Sequence, residues 1–69
     1  MKLTVNGEAR EVPAGTTVAE LLKRAGIAGD GRRGMAIAVD AEVVPRSAWE
    51  ETELSDGQQV ELLRAIQGG

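Results

Sequence analysis

The stretch TTVAELLKRAG, residues 16–26, decides the fold. Val18, Leu21, Leu22 and Ala25 recur at i, i+3, i+4 and i+7, so they share one face of a helix. Thr17 precedes the run and Glu20 lies three places on. A threonine hydroxyl there can accept from the N3 backbone, while the glutamate reaches back to the cap's own N–H. Gly26 suits the left-handed position just past the last turn, and Ile27 can fold back onto that turn. The spacing therefore predicts one short amphipathic helix of roughly two to three turns. One such helix can cover only one face of whatever it packs on.

Upstream, Pro13-Ala14-Gly15 is a turn. Before it, Met1, Leu3 and Val5 alternate as in a strand, and Asn6-Gly7 is the pair favoured in a type I′ hairpin. A two-residue turn places Val5 opposite Glu8, Leu3 opposite Arg10 and Met1 opposite Val12. That register puts Glu8 and Arg10 on the apolar side. Either they lie at an open sheet edge or a bulge shifts the pairing.

Downstream, residues 29–34 read as a loop rich in glycine and arginine. Its glycines superficially resemble a phosphate-binding loop. The loop lies between a helix and a strand, the wrong order, and no GK[ST] follows, so Arg32 and Arg33 are expected to be solvated. Met35–Val39 is a third strand, with Ile37 and Val39 on one side and Ala36 and Ala38 on the other. Glu42-Val43-Val44 is a short strand stopped by Pro45, and Arg46–Glu50 is a brief helical turn. Trp49 is the lone aromatic residue, expected as a core anchor in preference to a partner contact. Arg46 is read as an exposed structural arginine. Ser55-Asp56-Gly57 is a tight turn. A last strand starts at Gln59 and runs to about Ile66, with Val60, Leu62 and Ile66 on one face.

The order β-β-α-β-β-β with short connections implies an α+β fold. It is a mixed sheet packed on one main helix, with its first and last strands parallel at the centre. In the last strand Leu63 and Ala65 point away from Val60 and Leu62, so both sides are apolar. Either the protein covers both faces, or the outer one is a docking patch. With a single substantial helix, we expect the patch, formed by Leu63 and Ala65.

Composition excludes several functions. Sixty-nine residues make one domain with a thin core and no deep, walled cavity. Cysteine and histidine are both absent. No thiolate, no common transition-metal ligand and no imidazole proton shuttle is available, and no bound metal is expected. Eight basic residues against eleven acidic ones give a net charge of −3. That balance makes nucleic-acid binding unexpected. It fits a partner with a basic docking face, and it fits simple solubility equally well. No apolar run approaches a membrane span and no signal-peptide pattern opens the sequence, so we expect a cytoplasmic protein without a membrane partner.

Gly68-Gly69 closes the sequence. Glycine-rich ends are commonly just ragged. They are also the one kind of backbone that can thread a narrow channel in extended or positive-φ geometry. We expect a domain over residues 1–66 and a flexible diglycine tail over 67–69.

The chain resembles the ubiquitin-like β-grasp sulfur carriers, and specifically the ThiS family of thiamine biosynthesis. The matching segments are VNGE (5–8), TTVAELL (16–22), AVDAEVVPRSAW (38–49) and LSDGQQVELLRAIQGG (54–69). VVPRSAW is the most specific of them. The glycine- and arginine-rich loop departs from the pattern at a place where family members vary. The resemblance implies a β-grasp fold and a cosubstrate, not an enzyme. An E1-like adenylyltransferase (ThiF type) would use ATP to adenylate the Gly69 carboxylate. A sulfur donor such as a cysteine desulfurase system would convert it to a thiocarboxylate, and thiazole synthase (ThiG type) would take the sulfur. No catalytic side chain and no bound cofactor are implied, and the sulfur would be carried covalently. Three other roles share the fold: the small-subunit carrier of molybdopterin synthase, a ubiquitin-like protein modifier, and an interaction domain whose glycines are inert.

Overall fold

The computed structural model describes residues 1–27 and 32–64. Strands β1 (Lys2–Val5) and β2 (Glu8–Glu11) form the hairpin, and helix α1 (Val18–Arg24) follows. Then come β3 (Met35–Val39), β4 (Glu42–Val44), a 3₁₀ turn (Arg46–Ala48) and β5, described over Gln59–Arg64. The sheet has five strands in the order β2-β1-β5-β3-β4. β1 and β5 run parallel at its centre and the other pairs are antiparallel.

The hairpin register is the expected one, with Val5 opposite Glu8 and Leu3 opposite Arg10. Asn6 and Gly7 have φ of 49° and 82°, as a type I′ turn requires. The misfit of Glu8 and Arg10 is resolved by position: β2 is the edge strand and exposed throughout. No bulge shifts the pairing. The two side chains approach to 3.9 Å in a solvent-exposed ion pair, a weak contact that leaves a charged, unsticky edge.

Helix α1 starts as its sequence demands. Both halves of the Thr17–Glu20 capping box are present. The remaining free N–H groups of the first turn are met from afar: Val18 N–H donates to the Thr52 carbonyl and Ala19 N–H to the Trp49 carbonyl, each at 3.0 Å. At the other end Ile27 N–H donates to the Leu22 carbonyl (2.9 Å) and Gly26 N–H to the Lys23 carbonyl (3.1 Å). These two bonds and Gly26 at φ 80° make a Schellman stop. One expectation fails here. Ala25 is exposed, because the helix ends at Arg24 and Ala25 is its cap. Ala19 takes the buried place instead.

The core lies between α1 and one face of the sheet. Leu3, Val5, Ile37, Val39 and Val60 from the strands meet Val18, Leu21 and Leu22 from the helix. Trp49 closes one end. It is 3% exposed, and its indole N–H donates to the Val44 carbonyl at 2.9 Å, so the polar edge is paired inside the core.

Arg32 corrects the expectation of a solvated loop at this position. It is half-buried, and its Nη2 donates to the Ala19 carbonyl at 3.2 Å. Its own carbonyl accepts from Arg46 Nη2 at 2.8 Å, and the Arg46 guanidinium lies 5.5 Å from the Trp49 ring centroid. A long arginine stem can cover helix surface while its head bonds backbone, a packing role that loop composition does not reveal. Arg33 is exposed as expected.

Candidate functional site: the open sheet face

Strand alternation divides the sheet into two surfaces. One is the core side under α1. On the other, Leu63 of β5 lies opposite Ala36 of β3, and Ala38 of β3 lies between Glu61 and Val43. Leu63 is 53% exposed and Val43 69%, the large hydrophobic residues that the described fold leaves in water. Ala36 is exposed beside Leu63. Small side chains at Ala36 and Ala38 keep the middle of this face low, so the flanking Leu63 and Val43 stand proud of it. The result is a shallow apolar strip across β4, β3 and β5, interrupted by the carboxylate of Glu61.

The strip contains Leu63, as the sequence indicates. Val43 and Ala36 extend it, and sequence reading assigned neither to a site. Val43 had a usable signal: in the three-residue strand before Pro45 its neighbour Val44 packs on the core, so Val43 must face the other way. Ala65, Gly68 and Gly69 lie outside the described residues, as does the boundary between a 1–66 domain and a 67–69 tail. What the structure supplies is the strand that leads to them. β5 is paired on its β3 side up to Met35–Arg64, and Leu63 on this strand faces away from the helix.

Among the described residues no cluster of acidic side chains could hold a metal ion, and no helix is long and apolar enough to cross a membrane. What the described residues offer on this face is an apolar strip with one acidic group, carried on the central strand β5.

Known proteins of the same build fit this geometry. The ThiS family model matches residues 3–69. The sulfur carrier protein ThiS of Escherichia coli (strain K12) is 37% identical over 70 residues, spanning the whole of both chains. A thiazole synthase of Paramagnetospirillum magneticum is 38% identical over 69 residues, and the chain spans only 20% of that protein's length. The crystal structure of a ThiS from Geobacter metallireducens superposes with a TM-score of 0.83 at 34% identity, covering all of both chains. The solution structure of a thiamine biosynthesis protein from the same organism gives 0.76 at 34% identity, covering all of this chain and 88% of that one. With a family match over nearly its full length, and full-length relatives above a third identical, the chain belongs to the ThiS family.

Proposed function

We propose that the chain is a sulfur carrier of thiamine biosynthesis, with the carboxyl carbon of Gly69 as its reacting atom. It is a cosubstrate and not a catalyst. A carboxylate is a poor electrophile, so activation comes first. An E1-like adenylyltransferase of the ThiF type directs a Gly69 carboxylate oxygen onto the α-phosphorus of ATP, and pyrophosphate leaves. The terminal sulfur of a persulfide, supplied by a cysteine desulfurase system, attacks the acyl carbon and AMP leaves. A thiol then cleaves the sulfur–sulfur bond and frees the thiocarboxylate. Thiazole synthase of the ThiG type takes that sulfur and returns the carboxylate. The sequence contains no cysteine and no histidine, so beyond the Gly69 carboxylate itself the sulfur nucleophiles and imidazole proton shuttles of this cycle belong to the partner enzymes.

The observation that carries this proposal is Leu63: half exposed, apolar, on the central strand that precedes Gly68-Gly69 in the sequence. With Ala36, Val43 and Ala65 it forms the surface that the adenylyltransferase and the synthase grip in turn. A small strip of this kind suits moderate, reversible affinity, as a carrier handed between enzymes requires. A segment 38% identical to this chain occurs within a protein named thiazole synthase, which supports the pairing with that enzyme. Glycine at positions 68 and 69 admits the backbone to an active-site channel without a side-chain clash.

Complementation tests it. In a thiamine-requiring strain that lacks its own carrier, the full chain restores growth without the vitamin. The chain shortened by Gly68 and Gly69 does not. Growth on the shortened chain would overturn the proposal.

A further inference from the structure

The hairpin turn does more than reverse the chain. β1 pairs with β5 at Thr4–Gln59 and Val5–Val60, and then turns away. The Asn6 N–H still donates to the Val60 carbonyl at 2.9 Å. One step further on, Leu62 would face an empty edge. The Asn6 side chain fills it. Its Oδ1 accepts from the Leu62 N–H at 2.8 Å, and its Nδ2 donates to the Leu62 carbonyl at 3.3 Å. A side-chain amide thus stands in for a backbone peptide unit and extends the parallel ladder by one residue.

Turn chemistry alone does not account for this residue. A type I′ turn accepts asparagine, aspartate or glycine at its first central position. Only the amide carries both an acceptor for the Leu62 N–H and a donor for its carbonyl. Aspartate keeps the acceptor and sets a carboxylate against the carbonyl oxygen. Glycine keeps the turn and loses both bonds. Leu62 immediately precedes Leu63, and the clasp secures β5 on the side where its partner strand has ended.

We propose that Asn6 is a positioning residue for the carrier's reactive end: its amide clasps Leu62 and so fixes the direction of β5 over Leu62–Arg64, ahead of Gly69 in the sequence. This deepens the sulfur-carrier proposal and rests on it. Docking uses the open face, which the clasp does not touch. Loss of the clasp should therefore spare the encounter with the adenylyltransferase and impair delivery of Gly69 to the α-phosphate. Small misplacements of a reacting group cost rate.

The test compares the full chain with Asn6→Gly and Asn6→Asp, using ATP–pyrophosphate exchange by a ThiF-type adenylyltransferase and amide hydrogen exchange of the free proteins. Both variants should lower kcat about tenfold with KM for the carrier nearly unchanged. Protection of the Leu62 amide should fall about tenfold in Asn6→Gly, while the amides of Ile37 and Val39 keep theirs, which shows an intact fold. Asn6→Asp, which retains the acceptor, should keep more of the Leu62 protection than Asn6→Gly. The inference is overturned if kcat is unchanged although Leu62 has lost protection, if Leu62 never loses it, or if KM rises in place of the fall in kcat. Absence of exchange with the unaltered chain would instead reject the carrier role, and the positioning role with it.

Discussion

The two faces of the sheet are built for different ends. Under α1, Leu3, Val5, Ile37, Val39 and Val60 are buried against Val18, Leu21 and Leu22. Across the same strands, one residue out of phase, Ala36, Leu63 and Val43 remain in water. In a domain this small every buried apolar side chain is needed for stability. Leaving a leucine and a valine uncovered forgoes stabilisation that a second helix would have supplied. The difference separates a face that holds the fold together from one that, under the proposed function, is kept free for partners. Substitutions on the first should lower stability; on the second they should lower turnover and leave melting almost unchanged.

The largest effect that could break this division is at Leu22, fully buried at the centre of the helix face. Leu22→Ala should cost about 2–5 kcal/mol, enough to unfold much of the population at growth temperature, as read by urea titration. A small loss there would mean that the core lies elsewhere. Next is Leu63→Asp. It should raise KM for adenylation by about tenfold or more, in the range of a truncated interface anchor. Its unfolding free energy from urea titration should stay within about 0.5 kcal/mol of the parent's, as for surface substitutions generally. Equal losses of stability and of adenylation would erase the distinction between the faces. Thr17→Ala removes one half of the capping box and should cost about 1 kcal/mol, with adenylation unchanged once the protein is folded. Val43→Asp, at the far side of the strip, should give the smallest change: a rise in KM of a few-fold, without a shift in melting temperature. A Val43 effect larger than that of Leu63 would move the centre of the strip from β5 to β4.

Much of this was legible in the sequence because it is local. Asn6-Gly7, the Thr17–Glu20 pair and the Gly26 stop act within a few residues, and each appears in the structure as its chemistry requires. The parallel centre of the sheet followed from one crossover and short connections. What escaped is tertiary. Leu54 stands alone in a polar stretch with no period, yet it is buried, and its N–H donates to the Thr16 carbonyl at 2.9 Å. Thr16 is 3% exposed, and its hydroxyl donates to the Pro13 carbonyl at 2.7 Å, so a polar residue sits inside because its own turn satisfies it. Ala25 obeyed the helical period but fell one residue past the last turn. Arg32 looked like loop and became a brace across α1. At the site, Leu63 was visible from alternation. Ala36 and Val43 became part of the same strip only once β3 was known to lie between β4 and β5. Asn6 was assigned to its turn, and its second set of partners lies far along the chain at Leu62.

Loading of Gly69 is tested most directly by reconstitution. The chain is incubated with ATP, a ThiF-type adenylyltransferase and a persulfide donor, then treated with a thiol-specific alkylating reagent and mapped by peptide mass. Because the chain has no cysteine, a label on the C-terminal peptide reports a thiocarboxylate and cannot arise from oxidation of Met1 or Met35. The expected result is ATP-dependent label confined to the peptide ending in Gly69, and none on a chain lacking that residue. Absence of label with an enzyme that loads another ThiS-family carrier in parallel, or adducts on lysines in its place, would contradict the sulfur-carrier role.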